Sequence, residues 1–131
     1  SMDHASEGLV GVTVEVVRTE SALGPDAVAD RGKPVTYFVL EVRKGTAATY
    51  TIRRRFKDFD ALHHGLCQAY GWSVPPMPPK QIFGKQETAE FLTRRAEQLS
   101  TLLATLMEDK VLSMSPELCA FLECEAATHL A

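Results

Sequence analysis

No stretch of this 131-residue chain approaches the roughly 20 consecutive apolar residues that a membrane-spanning helix requires. The opening Ser-Met-Asp-His-Ala-Ser lacks the basic and apolar regions of a secretion signal. Ser1-Met2 reads as a cloning scar, which points to a domain taken from a longer protein. Cysteine is scarce: Cys67, Cys119 and Cys124 form no CxxC pair, and three thiols cannot all be bridged internally. A reducing, cytoplasmic setting with idle thiols is the expectation. Of the four histidines, His63 and His64 are neighbours, which a helix would point about 100° apart. No metal site and no cofactor are expected. The chain also lacks a GxGxxG or GxxxxGK[ST] phosphate loop and any Ser-His-Asp or Cys-His arrangement, so catalysis is not expected. Neither internal repeats nor low-complexity tracts are found.

What remains is the composition of one folded domain, 45% hydrophobic and 24% charged. The expected boundaries are a tail over 1–8, a domain over 9–124 and a second tail over 125–131. The net charge of −3 hides a segregation. Residues 43–95 hold ten basic and four acidic side chains, a local charge of +6, which leaves −9 on the remainder. A positive middle in an acidic frame can focus an anionic ligand on one place.

Val10, Val12, Val14 and Val16 alternate with Gly11, Thr13 and Glu15, the period of a half-buried strand. Periodicity is lost over Ser21–Lys33, where Gly24, Pro25, Asp26, Asp30 and Gly32 suggest a long loop. Val35–Val42 predicts a second strand with Phe38, Leu40 and Val42 on one face. The Lys44-Gly45-Thr46 turn leads to a third strand over Thr49–Arg55, with Tyr50 and Ile52 inward. The period then turns helical: Phe59, Leu62, Leu66 and Tyr70 share a face, and Gly71 is a stop signal. Val74-Pro75-Pro76-Met77-Pro78-Pro79-Lys80 must be a stiff connector, because proline fixes φ and removes backbone donors. A helix is expected over about Glu87–Met107, with Leu92, Ala96, Leu99, Leu103 and Leu106 inward. Another opens at Ser115-Pro116-Glu117 and buries Leu118, Phe121 and Leu122. The predicted class is α+β: a three-stranded antiparallel meander followed by a helical subdomain, with the proline-rich connector between the first two helices.

Three features carry chemistry. Arg53-Arg54-Arg55-Phe56-Lys57 sits where the third strand meets the first helix. Guanidinium groups there can grip phosphate through paired N–H bonds, which an ammonium cannot do. By strand periodicity Arg53 and Arg55 share a face and Arg54 points the other way. Lys80 closes the connector, whose Pro75-x-x-Pro78-x-Lys80 also fits an SH3-domain ligand. Arg95 lies on the i, i+4 line between Phe91 and Leu99, at the border of the buried stripe, where a base needs an anion.

The order of these motifs resembles the phox-homology (PX) domain family. Arg-Arg-Phe-x-x-Phe is followed by Pro-Pro-x-Pro-x-Lys, then by Phe-Leu-x-x-Arg-x-x-x-Leu, then by Ser-Pro-Glu-Leu-x-x-Phe-Leu. The resemblance spans Leu9 to Glu123 and implies a phosphoinositide-binding module, most often for phosphatidylinositol 3-phosphate on endosomal membranes. By motif position it implies that Arg55 holds the 3-phosphate and that Phe56, where many relatives have Tyr, packs on the inositol. Lys80 would contact the 1-phosphate and Arg95 the 4- and 5-hydroxyls. Arg53, Arg54 and Arg94 would either stay at the rim or accept a second phosphate, shifting preference to a bisphosphate. Ile82 and Phe83 would fall in the family's membrane-inserting loop, which implies exposure, the alternative being that they tuck back onto the core. The implied partners are a phosphoinositide head group and an anionic membrane surface, with protein partners reached through other parts of the parent protein. Nucleic acid is not expected at a pI near 5.8. The rival reading is a PX fold used for protein contact with little or no lipid affinity.

Overall fold

The computed structural model describes residues 11–46, 48–80 and 88–124. Three antiparallel strands in the order β1-β2-β3 form one sheet: β1 (Val12–Leu23), β2 (Pro34–Lys44) and β3 (Ala48–Arg54). Three helices follow, α1 (Phe56–Tyr70), α2 (Ala89–Glu108) and α3 (Pro116–Phe121), with single 3₁₀ turns at Gly71–Ser73 and Leu112–Met114. The expected α+β meander with helices packed on one side is present. Phe38, Leu40, Val42 and Ile52 form the sheet's share of the core. Phe59, Leu62 and Leu66 of α1 meet them, with Leu99, Leu102, Leu103 and Leu106 of α2 and Leu118, Phe121 and Leu122 at the end of the chain. At the centre, Phe59 is fully buried, with its ring edge-on to Phe38 at 6.2 Å and to Phe121 at 5.0 Å.

The loop expected over Ser21–Lys33 is shorter than the sequence suggested, because β1 continues to Leu23. A bulge between Val16 and Arg18 explains the discrepancy. The extra residue, Val17, shifts the alternation by one place, so the inward series stops at Val16 although the pairing does not. Beyond the bulge, β1 is largely polar and is held to β2 by its backbone. Three side chains cover the outer face there: Arg18 and Arg53 both pair with Glu20, at 2.9 Å each, across the buried Val39. The Val16 N–H donates to Ser100 Oγ at 2.8 Å, which ties α2 to β1 next to the bulge.

The helix ends follow the sequence signals. Asp58 accepts the Arg55 N–H at 2.7 Å and so caps α1, and Gly71 stops it at φ 67°, a conformation costly for residues with a Cβ. Thr88 Oγ1 accepts from Phe91 N–H to cap α2, and Ser115 Oγ accepts from Leu118 N–H to cap α3, with Pro116 in its first turn. The first half of the proline connector is anchored on α1 and the core. His63 Nε2–H donates to the Pro75 carbonyl at 2.8 Å, and Val74 and Met77 pack on the core. These contacts hold the connector against α1 and the core.

Candidate functional site

The corner where β3 becomes α1 collects most of the basic side chains singled out above. Arg55 is the N-cap residue of α1, with extended backbone, so its side chain leaves the sheet at the positive end of the helix dipole. Its guanidinium meets the Asp30 carboxylate, Nη2 to Oδ1 at 3.1 Å and Nη1 to Oδ2 at 3.4 Å. Both side chains are largely buried, 19% and 8% exposed. A cavity of about 240 Å³ opens beside them, lined by Val35, Thr36, Phe38, Arg55, Phe56 and Lys57.

Phe56 and Arg95 come together. The Arg95 guanidinium carbon lies 4.0 Å from the centre of the Phe56 ring and 4.9 Å from that of Phe91, so the cation is held between two aromatic rings. Arg95 is buried, and its Nη2 donates to the Pro79 carbonyl, one residue before Lys80. Lys80 is exposed and reaches Asp60 on α1 at 3.3 Å. One stacked arginine thus links the start of α1, the end of the connector and α2.

The remaining arginines diverge. Arg53 stays on the outer face of the sheet, paired with Glu20. Arg54 turns to the core side and donates to the Phe121 carbonyl from Nε (3.1 Å) and Nη2 (2.6 Å), and to Glu123 at 2.9 Å. Its guanidinium carbon also lies 5.3 Å from the centre of the Phe121 ring. Arg54 is thereby a strut between β3 and α3. Arg94 is exposed on α2 and forms no ion pair among the described residues. Ile82 and Phe83 lie outside the described residues.

Sequence reasoning missed the acids. Arg53, Arg54, Arg55 and Lys80 each hold a carboxylate, from Glu20, Glu123, Asp30 and Asp60 in turn. Three of these come from the acidic frame on either side of the basic middle. Segregation along the chain is therefore partly offset in space. Period and composition give no hint of this, because the partners are 25 to 69 positions apart for Arg55 and Arg54.

A family model described as PX domain matches residues 42–125. Sorting nexin-4 of Emericella nidulans is 42% identical over 81 residues, covering 58% of this chain and 17% of its own length. Sorting nexin 2B of Arabidopsis thaliana is 34% identical over 105 residues, 73% of this chain and 18% of its length. Human sorting nexin-2 is 34% identical over 86 residues, 56% of this chain and 17% of its length. The chain therefore spans less than a fifth of each of these relatives. Among solved structures, a designed CISK-PX domain superposes with a TM-score of 0.69 at 22% identity, covering 83% of this chain and 96% of that one. The mouse SNX19 PX domain gives 0.64 at 18% identity, covering 86% and 96%. This chain therefore belongs to the PX domain family.

Proposed function

We propose that the domain is a membrane-targeting module that binds a phosphoinositide head group, phosphatidylinositol 3-phosphate foremost, at the β3–α1 corner, and so brings its parent protein to endosomal membranes. The observation that carries this reading is Arg55 at the N-terminus of α1, beside a cavity it shares with Phe56 and Lys57. A phosphomonoester there meets a guanidinium fork, the helix dipole and an exposed lysine. Phe56 lines the same cavity, where its ring offers the inositol an apolar contact. Arg95, clamped between two rings, is preorganised to donate to ring hydroxyls, so little side-chain freedom is lost on binding. Lys80 exchanges a surface pair, worth about 0–1 kcal/mol, for the diester phosphate.

A bisphosphate preference would have to draw on Arg94 or Lys57, because Arg53 and Arg54 are engaged elsewhere. One observation favours a second reading, a PX fold used for protein contact: four of the basic residues are paired with the protein's own carboxylates. Liposomes carrying each phosphoinositide in turn separate these readings. Selective binding to the 3-monophosphate supports the proposal, preference for a bisphosphate corrects the lipid, and binding to none leaves the protein-contact reading.

A further inference from the structure

The most deliberate feature of the corner is the carboxylate already on Arg55. Asp30 stands in the loop between β1 and β2, and that loop is organised around it. Asp26 Oδ1 accepts the Ala29 N–H at 3.1 Å, the Asp30 N–H reaches the Asp26 carbonyl at 3.1 Å, and the Gly32 N–H reaches the Ala27 carbonyl at 2.9 Å. Arg31 takes the left-handed conformation at φ 56°, which L residues adopt reluctantly. Opposite, Gly24 leaves the space the carboxylate needs: a Cβ there would lie 2.6 Å from Asp30 Oδ2, 3.4 Å from the Tyr37 hydroxyl and 3.7 Å from Arg55 Nη1. Turn, left-handed residue and glycine together deliver an acid, 8% exposed, to the end of Arg55.

We propose that Asp30 is a resident counter-anion that sets the affinity of the Arg55 site, so that a phosphomonoester binds by displacing it. This rests on the head-group reading above. Displacement is favoured over joint occupancy on two grounds. The carboxylate takes both Nη groups, the fork a phosphate would use. A phosphate placed at the remaining Nε edge would put a second anion beside a nearly buried first one, and like charges in a poorly solvated corner repel strongly. The contact is also suited to exchange. Charge-assisted N–H···O distances run at about 2.7–2.9 Å, whereas these are 3.1 and 3.4 Å. Asp30 thus keeps Arg55 paired without ligand and lowers the net gain when ligand arrives.

The test compares wild type with Asp30→Asn on vesicles of phosphatidylcholine carrying phosphatidylinositol 3-phosphate. The amide keeps the size of the side chain and removes its charge. Asp30→Asn should bind about tenfold more tightly, the equivalent of losing one modest charge-assisted competitor. Gly24→Ala, which crowds the carboxylate off Arg55, should move affinity the same way and decides the matter if Asp30→Asn does not fold. Equal or weaker binding by folded Asp30→Asn, while wild type binds, overturns the counter-anion proposal and leaves the head-group reading standing. Binding by neither protein to any phosphoinositide overturns both.

Discussion

Arg95 between two rings gives a coupling energy that can be worked out and measured. A cation over an aromatic face contributes about 0.5–1 kcal/mol when exposed and about 2 kcal/mol when desolvated. Arg95 is 6% exposed and its guanidinium carbon is 4.0 Å from the Phe56 centroid, which puts this pair near the upper value. Single truncations would confuse the stack with the lost bond to the Pro79 carbonyl and with changed packing. A double-mutant cycle of Phe56→Leu and Arg95→Met removes those contributions, because they appear in both arms. The expected coupling is about 1–2 kcal/mol. Arg95→Met alone should lower Tm by more than its share of the stack, at roughly 4 °C per kcal/mol for a domain of this size. Urea unfolding of the four proteins, followed by circular dichroism, gives the cycle directly. A coupling below about 0.5 kcal/mol, the level found between sites that do not interact, would refute the stack as an energetic link between α1 and α2.

Two further outcomes follow from the packing. Phe59→Ala should cost about 3–5 kcal/mol in urea unfolding, because a fully buried ring touching Phe38 and Phe121 leaves a cavity that three elements cannot close; a loss under about 1 kcal/mol would show that the core relaxes into the space. Tyr50 donates its hydroxyl to the Leu122 carbonyl at 2.7 Å, and desolvation, aided by the neighbouring Cys124 and Glu123, pushes its pKa up to about 12 from 10. Its neutral form is the one the fold favours, so its contribution is complete below pH 10 and is lost as pH rises to about 12. The stability difference between wild type and Tyr50→Phe should therefore shrink across that window, and a difference independent of pH would contradict the burial argument.

Much of the fold was legible because it rests on local period and punctuation. The alternation of Phe38, Leu40 and Val42, the helical spacing of Phe59, Leu62 and Leu66, the stop at Gly71 and the Ser115-Pro116 start all describe nearest-neighbour geometry. The second half of β1 was not legible, since a bulge at Val17 ends the alternation while the backbone continues to pair. The expected inward stripe of α2 omits Leu102, yet it is buried with its neighbours Leu99, Leu103 and Leu106. At the corner, Arg55, Lys80 and Arg95 are readable in the sequence as cations and Phe56 as an aromatic ring, because side-chain chemistry is local. The sequence does not say that Arg95 stacks on Phe56, or that Asp30 returns from 25 positions away to meet Arg55. Such pairings depend on how a loop closes, and no period in the chain encodes that. The same limit applied to charge: a basic middle was readable, but not that Glu20, Asp30 and Glu123 fold back onto it.

The central claim, that the β3–α1 corner grips a phosphorylated head group through Arg55, is tested most directly by pairing Arg55→Ala with Arg53→Ala. Each is measured by co-sedimentation with vesicles of the phosphoinositide that wild type binds best. Arg55→Ala should abolish binding, while Arg53→Ala, removing a guanidinium already paired with Glu20 on the outer face, should leave it within about twofold, the effect of a rim charge. Equal binding by Arg55→Ala and wild type, or a greater loss from Arg53→Ala, would contradict the account and move the site off this corner.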